Sequence, residues 1–122
     1  MTIRPVLTAL IAAFALALAQ PAPAQEAAFL EGSEDIPLMG ELAAVPDAGI
    51  VFDSPAGRIV ESFAAGPTSR EAVLGFYAET LPALGWTPES RVRFTREGES
   101  LSLDFFGPDG ELTVRFTLAP AD

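Results

Sequence analysis

A chain of 122 residues that holds 17 acidic side chains against 7 basic ones, for a net charge of −10, is repelled by phosphate backbones and anionic lipid headgroups. That balance speaks against nucleic acid and against a peripheral membrane role. Cysteine, histidine and lysine are absent, so disulfides, Ser-His-Asp or Cys-His catalysis and thiolate or imidazole metal sites are excluded, and oxygen ligands leave only hard ions such as Ca2+.

Met1–Pro5 carries one positive charge, Arg4, ahead of the apolar run Val6–Ala19. Crossing a hydrocarbon core of about 30 Å at ~1.5 Å per residue takes roughly 20 apolar residues, more than this run supplies. Ala22-x-Ala24 follows, the small-residue pattern that a signal peptidase accepts. Residues 1–24 therefore read as an export signal, with the mature chain starting at Gln25. No cysteine stands there to take a lipid anchor. Cleavage would remove Arg4 and no acidic residue, which makes the exported chain more negative still. The expected location is the periplasm or the outside of the cell.

Residues 25–48 lack periodicity and mix acidic residues with Gly32, Pro37, Gly40 and Pro46, the pattern of an extended, partly disordered lead-in. Within it Ile36, Leu38, Met39 and Leu42 are too apolar for a plain linker. The strip is expected to dock on the domain's own surface, with a partner-binding strip as the alternative.

A single domain is expected over residues 49–120. Gly49–Asp53 and Arg58–Ala64 flank Ser54-Pro55-Ala56-Gly57, a turn that makes a β-hairpin and pairs Phe52 with Ile59. Ile50, Phe52, Ile59 and Phe63 share one face, taken as the core side. Thr68-Ser69-Arg70-Glu71 reads as a capping box with Thr68 as the cap, and Val73, Phe76, Tyr77, Leu81 and Leu84 form one helical stripe. Gly85 in the left-handed region ends the helix and lets Trp86 fold back on Leu81.

From Arg91 to Leu118 apolar residues alternate with polar ones in three runs, a three-stranded antiparallel meander. A two-residue turn at Glu97-Gly98 sets Phe94 opposite Leu101. A four-residue turn at Gly107–Gly110 sets Leu103 opposite Val114, and both loops keep the apolar residues on one face. The fold class is α+β: a hairpin, one helix and the meander, with the helix packed on one face of the sheet.

The helix carries Phe76-Tyr77, Leu81-Pro82 and Gly85-Trp86 ahead of the meander. In this it resembles small, uncharacterised exported and lipoprotein domains of bacteria with the same residues in the same order. The resemblance spans about residues 45–120 and implies the fold, without implying an activity.

On the meander's outer face the same register puts Arg93, Ser102 and Arg115 in one row and Arg91, Asp104 and Thr113 in the next. Arg93 and Arg115 would then lie about 10 Å apart, within reach of one bound anion, although alternating charges also suit a plain solvated face. Phe106 points outward as well, so either the Ile36–Leu42 strip or a partner must cover it. Glu97 and Glu99 flank an exposed turn and make a poor acid–base pair. No catalytic residue, metal ligand or cofactor is assigned. The expected function is an exported accessory or binding module of the bacterial cell envelope that contacts an envelope protein. The alternative is a carrier of small anions using the arginine row, and an enzyme comes a distant third.

Overall fold

Helix α1, Arg70–Ala83, begins where two side chains meet its unpaired amides. The Ser69 hydroxyl accepts from Ala72 N at 3.1 Å, and Asp109, from a distant turn, accepts from Arg70 N at 3.0 Å. The cap is thus Ser69, one residue after the expected Thr68. Glu71 turns away to Arg91 instead of reaching back to the cap. At the other end Gly85 has φ of +92°. Its N–H donates to Pro82 O and that of Trp86 to Leu81 O, the paired bonds that close a helix around a left-handed residue. Trp86 is thereby folded into the core.

The computed structural model describes residues 28–121, so the expected export signal and its cleavage point lie outside the described residues. The sheet is antiparallel throughout and has seven strands, where a hairpin and a three-stranded meander were expected. They are β1 (Ala43–Ala44), β2 (Ile50–Ser54), β3 (Gly57–Gly66), β4 (Thr87–Pro88), β5 (Arg93–Arg96), β6 (Glu99–Phe106) and β7 (Leu112–Pro120). The order is β1-β3-β7-β6-β5-β4, and β2 also pairs with β3. Strands β1 and β4 have two residues each, too few to carry a period-two signal. The hairpin register, Phe52 opposite Ile59 and Asp53 opposite Arg58, is as expected. So is Phe94 opposite Leu101 across a turn in which Glu97 and Gly98 both have positive φ.

Helix and sheet bury one another along Val73, Tyr77 and Leu81 on the helix and Phe94, Leu101, Val114 and Phe116 on the strands. On β3 the inward residues are Val60, Ser62 and Ala64, opposite Leu118, Phe116 and Val114. This reverses the expected hairpin face. Ile50 and Phe52 are 52% and 46% exposed, on the side away from the helix. Small Ser62 and Ala64 leave room for the large residues of β7, a fit that depends on the pairing of two strands distant in sequence.

The segment expected as an extended, partly disordered lead-in is part of the core, and its apolar strip docks on the domain as expected. Leu30, Ile36, Leu38, Met39 and Leu42 are all buried in the same cluster, so Ile36, Leu38 and Met39 are withdrawn as partner-binding residues. Backbone bonds from Leu30 N to Ile36 O and from Leu38 N to Ala28 O fold this strap on itself, and the Ser33 hydroxyl accepts from Ile36 N. The strap crosses β3 so closely that a Cβ on Gly66 would overlap the Glu41 carbonyl.

Tyr77 holds the strap. Its ring is fully buried, edge-on to Phe76 at 4.9 Å and to Phe116 at 5.5 Å. Its hydroxyl donates to Pro37 O at 3.0 Å and accepts from Met39 N at 3.3 Å. Tyr77→Phe keeps the ring but leaves the Met39 N–H unpaired, a cost of about 1–3 kcal/mol. The urea midpoint of this variant is expected to fall without a change in slope; an unchanged midpoint would show that the strap holds without the hydroxyl. Burial pushes the hydroxyl up to about 12 from an ordinary 10.0. Its contribution is therefore complete below pH 10 and is lost as pH rises through about 12.

Candidate functional site

The three arginines expected on a binding face, Arg91, Arg93 and Arg115, each hold a carboxylate, and so does Arg96, which the sequence did not single out. Arg91 meets Glu71 at 2.8 Å, Arg93 meets Glu89 at 3.0 Å, Arg96 meets Asp35 at 2.7 Å and Arg115 meets Asp104 at 3.1 Å. Of the expected row of Arg93, Ser102 and Arg115, Arg93 stands opposite Ser102 as expected and Arg115 does not join them. Ser102 lies between Arg93 and Thr117, and Arg115 lies opposite Asp104. Arg91 is likewise not in a row with Asp104 and Thr113; it reaches the helix instead. An anion bridging Arg93 and Arg115 would have to displace a carboxylate from each.

The cause is the β6–β7 connection. Leu103 pairs with Phe116 instead of Val114, a slip of two residues. The turn swings out to the start of α1, where Gly110 N donates to Thr68 O and Asp109 accepts from Arg70 N. Capping a helix stabilises it by ~1 kcal/mol, and in this register the turn reaches the helix start. Because side chains alternate, a slip of two leaves the core face intact and changes the partners on the outer face.

That outer face lies open. On it Phe52 pairs with Ile59, and Phe63 lies opposite Arg115, which in turn lies opposite Asp104. Phe106 is 46% exposed and has the Arg115 guanidinium over it, 5.3 Å from the ring centroid. The strap is buried with the helix against the opposite face, so it does not cover Phe106. Ile50, Phe52, Ile59, Phe63 and Phe106 thus give this face an apolar surface. Ile50, Phe52 and Phe63 were missed as surface residues because alternation fits either face of a hairpin. The small residues Ser62 and Ala64 on β3 were the available clue.

A second region lies at the end of the helix. An open groove of about 560 Å3 is lined by Asp35, Leu84, Gly85, Thr87, Thr95, Arg96, Glu97 and Gly98. Arg96 is its centre, bonded through two nitrogens to Asp35, through one of them to Leu84 O, and stacked 4.4 Å from the Trp86 ring. The nitrogens Trp86 Nε1 and Arg96 Nε are enclosed and have no partner among the described residues. Arg96 ties strap, helix end and sheet together, so the groove reads as a structural junction.

Among the described residues no group of acidic side chains is arranged to hold a metal ion, and no helix is long and apolar enough to cross a membrane. Comparison with protein-family models, curated proteins and solved structures finds no match. Function must therefore be argued from the surface itself.

The Arg96 hydrogen bonds hold the Asp35 carboxyl below its ordinary 3.8. A carboxyl with a lowered folded value stabilises above 3.8 and loses that contribution as pH falls through the folded value. Asp35→Asn is expected to melt earlier than the parent at pH 7, with the difference closing as pH is taken below 3.8. A difference that does not vary with pH would show that the ion pair is not its source.

Proposed function

We propose that this chain is an exported, non-enzymatic binding module of the bacterial cell envelope that contacts a protein partner through its outer sheet face. The observation that carries the reading is the set of large apolar side chains on one uncovered face, Ile50 and Phe52 on β2 with Phe106 on β6. Exposed apolar surface of this kind gains about 25 cal/mol per Å2 when a partner removes it from water. Export rests on the charged start, the short apolar run and the Ala22-x-Ala24 pattern of the sequence. The anion-carrier alternative loses its basis with the arginine row, since Arg93 and Arg115 each hold a carboxylate.

A photo-crosslinking amino acid placed at Phe106 in cells is expected to give a discrete protein adduct, while the same group at the exposed helix residue Glu79 gives none. Absence of an adduct at position 106, with the protein present in the envelope fraction, would overturn the reading. The same preparation checks export: the intact mass of the recovered chain is expected to correspond to a start at Gln25.

A further inference from the structure

We infer that the partner of the outer sheet face is a second copy of this chain, packed face to face about a twofold axis. The inference rests on the reading that this face is a protein-binding surface. What selects a second copy is the charge pattern. The chain as a whole has 17 acidic residues against 7 basic ones. On the outer face the strands carry Glu61 and Asp104 against Arg93 and Arg115, with Glu89 bonded to Arg93 at the rim.

Two copies of so acidic a protein repel one another wherever acidic surfaces meet. A face with both signs in near balance, its arginines already paired within the chain, escapes that repulsion, so a second copy can approach it without like charges meeting. A basic partner would instead be drawn to the rest of the surface, where acid predominates. Phe63 lies beside Glu61 and opposite Arg115, Phe106 ends β6 beyond Asp104, and Ile50, Phe52 and Ile59 stand at the opposite corner, so the apolar part of the contact flanks the charged part. Antiparallel sheets stacked this way sit about 10 Å apart with their side chains interdigitated.

Size sets the strength. Five strands, β2, β3, β7, β6 and β5, present the face. At ~4.8 Å between strands and ~3.3 Å per residue, it spans about 20 by 20 Å, on the order of 400 Å2 of flat area. That is below the ~800 Å2 per partner of a standard stable interface, so the dimer is weak and exchanges with monomer.

Sedimentation equilibrium of the chain from Gln25, which contains every described residue, tests this across concentration. The weight-average mass is expected to rise from one chain at about 5 µM toward two at about 1 mM, the range of a small reversible interface. Phe106→Asp and Phe52→Asp, both at exposed positions, are each expected to weaken association at least tenfold, with thermal melts confirming folding. Val51→Asp, on the other side of β2, is expected to leave it unchanged. A single-chain mass up to about 1 mM would overturn the second-copy inference. If position 106 then crosslinks to a different protein, the partner-binding reading stands without it, and if it crosslinks to nothing, both fall. Association that survives Phe106→Asp but is lost in Val51→Asp would also overturn the inference, because it would place the contact at the strand edge.

Discussion

The chain has apolar material to cover one face of its sheet, and Tyr77 is the point at which that cover is fastened. The helix alone contributes Val73, Leu74, Tyr77 and Leu81 to the buried set, a stripe narrower than a seven-stranded sheet. The strap makes up the difference with Leu30, Ile36, Leu38, Met39 and Leu42. It has little regular structure of its own, so its backbone groups need partners from elsewhere, and the Tyr77 hydroxyl serves two of them. Ring and hydroxyl act together: the ring packs on Phe116 of the sheet and the hydroxyl binds the strap. With helix and strap both committed to one side, no described element remains to cover the other. The open face follows from the construction of the core.

Basic side chains are few in this protein and all are arginines, and four of them among the described residues are each held by a carboxylate. Arg96 spans strap, helix end and Trp86, and it is the most enclosed of the paired arginines. Such a pair links segments 61 positions apart in sequence. The pairs of Arg91, Arg93 and Arg115 are more exposed, where solvent screens them, so their main effect is on charge distribution. They leave the outer strands near neutrality in a protein that is elsewhere strongly acidic.

Local chemistry was legible in the sequence and long-range pairing was not. The Glu97-Gly98 turn, the hairpin register and the left-handed Gly85 with Trp86 folded behind it depend on residues close together in the chain, and each stands where the pattern put it. The helix start differed by one residue because Ser69 and Thr68 are both competent caps, and the choice is settled by Asp109, 39 positions away. Docking of the strap was legible from Ile36, Leu38, Met39 and Leu42, too apolar for a linker, whereas its course was not, because it has no periodicity. The hairpin was turned inside out for a related reason. Large residues at Ile50 and Phe52 outweighed Ser62 and Ala64 in the pattern, yet only small residues fit beneath Phe116 and Val114.

The slip of two residues at the β6–β7 turn shows how one local requirement can set the chemistry of a distant surface. Serving the start of α1 with Asp109 and Gly110 lengthens the connection, and alternation restricts the slip to an even number if the core is to survive. Inside, the slip exchanges Val114 for Phe116 opposite Leu103, one apolar residue for another. Outside, it moves Arg115 from Ser102 to Asp104 and sets its guanidinium over Phe106, which turns a cationic row into a neutral ion pair beside an aromatic ring. An even slip is thus nearly silent for the fold and decisive for recognition. On the outer face the slip sets the partners of Arg115 and Phe106, while Ile50, Phe52, Ile59 and Phe63 belong to β2 and β3 and keep their places whatever the length of that turn.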